Sequence, residues 1–346
     1  MSTIPGVFTE TQLLQLRAKA AELMFDDRIK QQFIPQIGVI EGVRAAQTAQ
    51  VLNARFNQIK DSTGKTKKYD VELVWDNACG IEAEDCTVCD FGGDKLSTNA
   101  QLYSLGFCKE VKFSVDEYDY VDNELDAMLA IAKGLLRADK ELVEAYAAYV
   151  VAVLGANKGV NMMGTGSKGV VSANDTYILP AYWDAKLMAY FMRVAQLNRF
   201  TSPTLISGSN LFEEYLVIAQ LMADANGKGN AALLKAMPIF FDLFNIDTIN
   251  SPDLVTYMLS QGSVAMASRA YNPVNVETTQ TFKRWSKVSE FVPELKYDLF
   301  YESVCSNDMV KHSFKTKLTA DLFVNPEGCE ATNTGILTFL CGAPAQ

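Results

Sequence analysis

Apolar residues recur at three- and four-residue steps through Leu125, Met128, Leu129, Leu135, Leu136, Leu142, Val143, Tyr146, Tyr149, Val150, Val153 and Leu154. That is the period of one helical face. Asp122 and Asn123 supply cap-type side chains at its start, and Gly155 suits a left-handed cap at its end. The pattern predicts one helix of about 30 residues, a rod of roughly 45 Å. Gly134 is its weak point and marks a candidate bend, because glycine costs about 1 kcal/mol against alanine inside a helix.

The rest of the chain alternates between the two periods. Thr9 to Gln32 predicts a charged helix with an apolar stripe of Leu13, Leu14, Leu16, Leu23, Met24 and Phe25, an arm that packs on something else. Residues 68–75, 100–107 and 109–115 are strand-like. Residues 61–68 read as a polar, basic loop tip between two strands. Beyond the long helix, 183–198 predicts a helix, 202–207 a buried strand, and Ser209 caps a helix from Asn210 to about Asp224. Residues 239–244 predict a strand, Ser251-Pro252-Asp253 a helix start, and 264–268 a core strand. Residues 296–341 are strand-rich, with Phe314, Leu318, Ala320, Leu322 and Val324 on one face.

Gly164-Thr-Gly166-Ser-Lys-Gly169 matches GxGxxG, yet a dinucleotide site needs a strand before the glycines and a helix after them. Here the long helix comes first and a stretch without helical period follows, so the glycines read as a turn off the helix. Gly64-Lys65-Thr66 lacks the glycine that a Walker loop carries five positions earlier, where Ile59 stands.

Composition is that of a globular chain, with 49% hydrophobic and 21% charged residues. No apolar run reaches the ~20 residues of a membrane span, and the N-terminus lacks a signal-peptide pattern, which points to folding in a cytoplasm. A net charge of −10 argues against non-specific nucleic-acid binding by the whole surface. The single histidine, His312, disfavours Ser-His-Asp, Cys-His and HExxH chemistry and reads as a surface or strand-end residue. Of seven cysteines, Cys79, Cys86, Cys89 and Cys108 cluster in sequence. The Cys86-Thr-Val-Cys89 spacing suits one metal, but no second pair accompanies it, and the acidic surroundings oppose a reactive thiolate. Zinc, a dithiol and plain reduced cysteines stay open. Cys305, Cys329 and Cys341 read as small core residues.

The order of these elements resembles the major capsid proteins of tailed phages, the Hong Kong 97-like fold. The local likenesses are Glu144–Leu154 running into Gly155–Gly169, Thr201–Leu216, and Phe314–Val324 with Asn325–Cys329. The resemblance implies an α+β chain with an N-terminal arm at 1–35 and an extended loop with the first peripheral strands at 36–115. A peripheral domain with a spine helix at 116–174, an axial domain at 175–295 and closing peripheral strands at 296–346 complete it. The Cys-, Asp- and Gly-rich segment 76–93 departs from the family pattern, as an insertion near the loop. The implied role is structural: an icosahedral shell in the virion, assembled in the host cytoplasm and enclosing double-stranded DNA without reading its sequence. Partners are copies of the chain as hexamers and pentamers, with portal, scaffold and decoration proteins besides. No catalytic, cofactor-binding or metal residue is implied, and no motif carries over the lysine–asparagine crosslinks of some relatives.

In such a subunit, residues 1–35 and the 61–68 tip are expected to contact neighbouring copies, with Lys60, Lys65, Lys67 and Lys68 meeting acidic patches. Two other readings stay open. One is a nucleotide- or metal-dependent enzyme in which Asp242, Asp247 and Asp253 converge. The other is a zinc-stabilised binding, decoration or connector protein.

Overall fold

Two six-stranded sheets meet on one long helix. The computed structural model describes residues 8, 10–23, 34–47, 70–75, 99–116, 124–161, 169–172, 174–179, 187–212, 215, 237–250, 254–270, 276–279, 282–306, 309–325 and 334–342. Helices α1 (Glu10–Leu23) and α2 (Gly38–Ala46) precede strands β1 (Asp70–Trp75), β2 (Asn99–Ser104) and β3 (Phe107–Asp116). Helix α3 (Glu124–Ala156) follows, then β4 (Gly169–Ser172), β5 (Asp175–Ile178), α4 (Leu187–Leu197), β6 (Thr204–Ser207), β7 (Ile239–Phe241) and α5 (Leu243–Asn250). The chain continues as β8 (Val255–Leu259), β9 (Val264–Ser268), β10 (Glu277–Thr278), β11 (Lys283–Val288), β12 (Lys296–Ser306), β13 (Met309–Val324) and β14 (Ile336–Cys341).

The first sheet runs β10-β11-β12-β13-β3, with β9 pairing the far end of β13. The second runs β4-β5-β14-β8-β6-β7 and is mixed, since β14 lies parallel to β5 and β6 parallel to β7. Sheet membership cuts across the expected segments. β9, β10 and β11, grouped in the sequence reading with 175–295, pair into the first sheet, whereas β14, grouped with 296–346, is central to the second. Every residue of β14 except Cys341 is buried, so its apolar run Ile336–Leu340 needs cover on both faces, which a central strand has.

The predicted long helix is α3, with 33 residues spanning about 50 Å. Its buried surface is wider than one stripe, because Ala132, Ala138, Ala147 and Val151 are buried too. Near its start it packs on α1 and the first sheet; further along, Leu142 to Leu154 face both sheets. Gly155 does not form the expected left-handed cap; it is helical, and the helix ends one residue later. Asn157 closes that end instead, donating to the Val153 carbonyl from its backbone at 3.1 Å and its side chain at 2.8 Å. Gly134 serves close approach: a Cβ there would stand 2.5 Å from the ring of Phe113 on β3.

The helix expected to start at Ser251 is displaced. Residues 243–250 form α5, and 255–259 form the wholly buried strand β8. Asp242 supplies the N-terminal cap that the sequence reading assigned to Ser251, and it shortens the 239–244 strand to Ile239–Phe241. Val255-Thr-Tyr-Met-Leu is rich in β-branched and aromatic residues, as a central strand requires.

Candidate functional site

The long helix α3 carries the arm helix α1 and packs on both sheets. Besides apolar packing, specific contacts hold α3 to β3, to β13 and to the chain just after β11. Asp321 of β13 accepts hydrogen bonds from the Tyr149 hydroxyl at 2.6 Å and the Gly106 amide at 2.7 Å. Tyr146, one helical turn earlier, donates to the Asp321 backbone carbonyl at 2.8 Å. Burial, reinforced by the Asp321 carboxylate, pushes both phenols above their ordinary range, so they stay donors. Toward the start of α3, Phe113 stacks on Phe314 and fills the notch left by Gly134.

The third contact is a hydrogen bond to a buried carboxylate. Asp139 of α3 is fully buried, and its Oδ2 accepts from the Glu290 amide at 2.7 Å. Burial pushes its carboxyl up to about 6, against the opposing pull of Lys287. Lys287, also buried, lies 3.1 Å from the Glu290 carboxylate. Sequence reading missed Asp139 and Asp321. For Asp139 the signal was present, since it stands at helical steps from Leu135, Leu136, Leu142 and Val143 on the apolar face; Asp321 alternates with Ala320 and Leu322 and so reads as lying on the opposite, polar face.

The arm helix α1 packs on its own chain. Leu13 and Leu16 join Ile131 and Leu135, while Ala20 and Leu23 meet Ala132 and Leu136, so the stripe expected to reach a neighbour is spent within the subunit. Leu14 alone of the described stripe points outward. Ahead of α1, Phe8 covers His312 with ring centroids 4.5 Å apart, its amide donates to the Tyr301 hydroxyl, and Lys283 donates to its carbonyl. His312 is therefore not a surface residue. It is 2% exposed, its Nδ1 lies 2.9 Å from the Tyr301 hydroxyl, and burial lowers its pKa.

Strands β1 and β2 pair antiparallel from Asp70↔Ser104 to Trp75↔Asn99, so the chain between them is 76–98. The chain between these strands is thus the cysteine-bearing segment; the 61–68 tip lies outside the described residues with Lys60. Val71, Leu73 and Trp75 rest on Ala265, Ala267 and Phe323, which explains why the end of β13 is buried on both faces. Of the clustered cysteines only Cys108 is described, exposed on β3; Cys79, Cys86 and Cys89 lie outside the described residues, as does Cys329, and of the helix expected from Asn210 to about Asp224 residues 209–212 and Tyr215 are described, as helical. Cys305 falls on β12, and Cys341, half-buried, packs against the second sheet's core. Among the described residues no group of three metal-ligating side chains forms and no helix is long and apolar enough to cross a membrane.

Two of the three carboxylates offered for catalysis accept from backbone amides. Asp242 caps two helices at once, accepting from the Val39 amide of α2 at 3.1 Å and the Asn245 amide of α5 at 3.1 Å. Asp247 accepts from the Ser209 amide at 3.1 Å. Asp253 lies outside the described residues. At the glycine-rich segment, Gly169 opens strand β4 and no helix, so the nucleotide context is missing; 162–168 lie outside the described residues.

No family model and no curated protein matches the chain. Solved structures do. The capsid asymmetric unit of cyanophage A-1(L) matches over 89% of this chain and 93% of that one, with a TM-score of 0.51 at 10% identity. A structure from Mycobacterium phage Che8 matches over 84% and 92%, at 14% identity and a TM-score of 0.41. The mature capsid of bacteriophage PhiM1 matches over 86% of each, at 9% and 0.41. The cyanophage likeness shows that this chain has the α+β fold of a phage capsid subunit.

Proposed function

We propose that this chain is the major capsid protein of a tailed bacteriophage, copies of which build an icosahedral shell around double-stranded DNA. The observation that carries the reading is the fold shared with the cyanophage A-1(L) capsid along nearly the whole of both chains. The architecture supports it. The first sheet with α3 acts as the peripheral domain and the second sheet as the axial domain, with β1 and β2 as strands of the extended loop. Hexamers and pentamers of the chain are its partners in the virion, with portal, scaffold and decoration proteins as further ones. The engagement of Asp242 and Asp247 by backbone amides accounts for both carboxylates without catalysis.

Negative-stain microscopy of the purified full chain tests this. Closed shells or ring-like capsomers are expected. A chain that stays monomeric or dimeric at high concentration by sedimentation overturns the reading.

A further inference from the structure

Exposed apolar side chains gather on one part of the molecule. Among the described residues, eight of the ten large exposed ones, all but Leu14 and Val304, belong to the second sheet, its helices or the chain beside them. Six of them form two groups. Val170 and Leu179 lie at the β4–β5 edge. Leu197, 54% exposed, ends α4 beside β5, because Asn198 bonds Asn161, which in turn bonds Thr176 of β5. In the second group, Leu243, Ile249 and a 62% exposed Phe244 stand on α5, which starts after the opposite edge strand β7 and runs back to β8, where Asn250 accepts from the Tyr257 hydroxyl. With five strand spacings between them, the two edges are about 24 Å apart.

The groups also differ in charge. Asp247 is the only charged residue of α5. Arg193 is the only charged residue of α4, Arg199 follows it, and both are exposed.

We propose that the β4–β5 edge of one copy seats against α5 of the next, head to tail. This rests on the shell-subunit reading above and names the surfaces that reading leaves open. Two unlike surfaces on one chain make a contact that repeats in one direction and closes into a ring when the rotation allows. An apolar centre flanked by opposite charges is the usual make-up of such a contact. For a chain of net charge −10, apolar faces with few charges are also where two copies meet the least repulsion.

The test uses Val170→Asp and Phe244→Asp in the full chain beside the wild type, with folding checked by circular dichroism and thermal melting. Each variant is expected to fold and to need at least about tenfold more protein to assemble, the loss of one hot-spot contact. Mixed in equal amounts, at the concentration where wild type assembles, the two are expected to give a two-chain species. There Phe244 of the V170D copy meets the intact edge of the F244D copy, and neither copy can add a third. Assembly of either variant at the wild-type concentration overturns the proposal, as does a mixture that stays monomeric. Should an aspartate variant misfold, Val170→Ser and Phe244→Ser give the same readout. If wild type itself stays monomeric, the shell reading has failed; if wild type and variants assemble alike, only this contact has.

Discussion

The Asp321 carboxylate lies 2.6 Å from the Tyr149 hydroxyl, tying the sixteen-residue strand β13 to the spine helix through a charge-assisted hydrogen bond. Tyr149→Phe removes one donor from a half-exposed site and is expected to cost about 1–2 kcal/mol. Asp321→Ala strands the Gly106 and Leu322 amides as well as the phenol and is expected to cost about 3 kcal/mol or more. Urea unfolding of the two variants checks the order; equal losses would mean that the carboxylate serves Tyr149 alone.

Gly134 decides between propensity and space. Alanine in a helix gains about 1 kcal/mol over glycine. Here its Cβ meets the Phe113 ring, which stacking on Phe314 keeps from moving aside. Overpacking of this kind costs about 1–3 kcal/mol, so Gly134→Ala is expected to destabilise. In a Phe113→Ala background the same change is expected to stabilise, and thermal melts of the four proteins read the reversal of sign.

Asp139 makes stability depend on pH in an unusual direction. Its folded pKa of about 6 lies above the unfolded value, so the folded state holds the proton more tightly. That contribution is full below about pH 4 and is lost as pH rises through about 6. Asp139→Asn is therefore expected to be more stable than wild type at pH 7, by about 1–3 kcal/mol. The gap should close on acidification from pH 6 to 4. A variant less stable than wild type at pH 7 would show that the Lys287 pairing outweighs burial.

His312 reports on the arm. Its pKa is lowered in the fold by burial, so its contribution to stability is present above the ordinary histidine value and is lost as pH falls through the folded one. As the chain's single histidine it gives one resolved imidazole titration by NMR. Phe8→Ala uncovers the ring and is expected to move that titration up toward about 6.5. The same variant is expected to cost about 3 kcal/mol, the range for a buried aromatic. An unchanged titration would mean that Tyr301 and the sheet bury His312 without the arm.

Much of the element order was legible along the chain, and the exceptions have a common cause. The spine helix was plain because twelve apolar positions keep one period over thirty residues. Strand β8 was misread because Pro252 suits a position just after a helix as well as a first helical turn. What tells these apart is the Asp242 carboxylate, whose second target is the Val39 amide, about 200 residues earlier in the chain. The strand-like runs 68–75 and 100–107 were legible one by one, but not their pairing: the register that sets Trp75 against Asn99 is not written in either strand alone.

The sequence by itself determined the local periods, and with them the long helix, the arm helix and most strands, because backbone geometry imposes those periods on any buried face. It also bounded the chemistry, through one histidine and an acidic balance. Only the tertiary structure decided which sheet receives β14, that α1 covers its own spine helix, that His312 lies under Phe8, and that Asp321, Asp139 and Asp242 are tied to distant amides. These outcomes depend on contacts between residues far apart in the chain. A buried carboxylate is tolerated only where such a contact supplies the donor that water would have given.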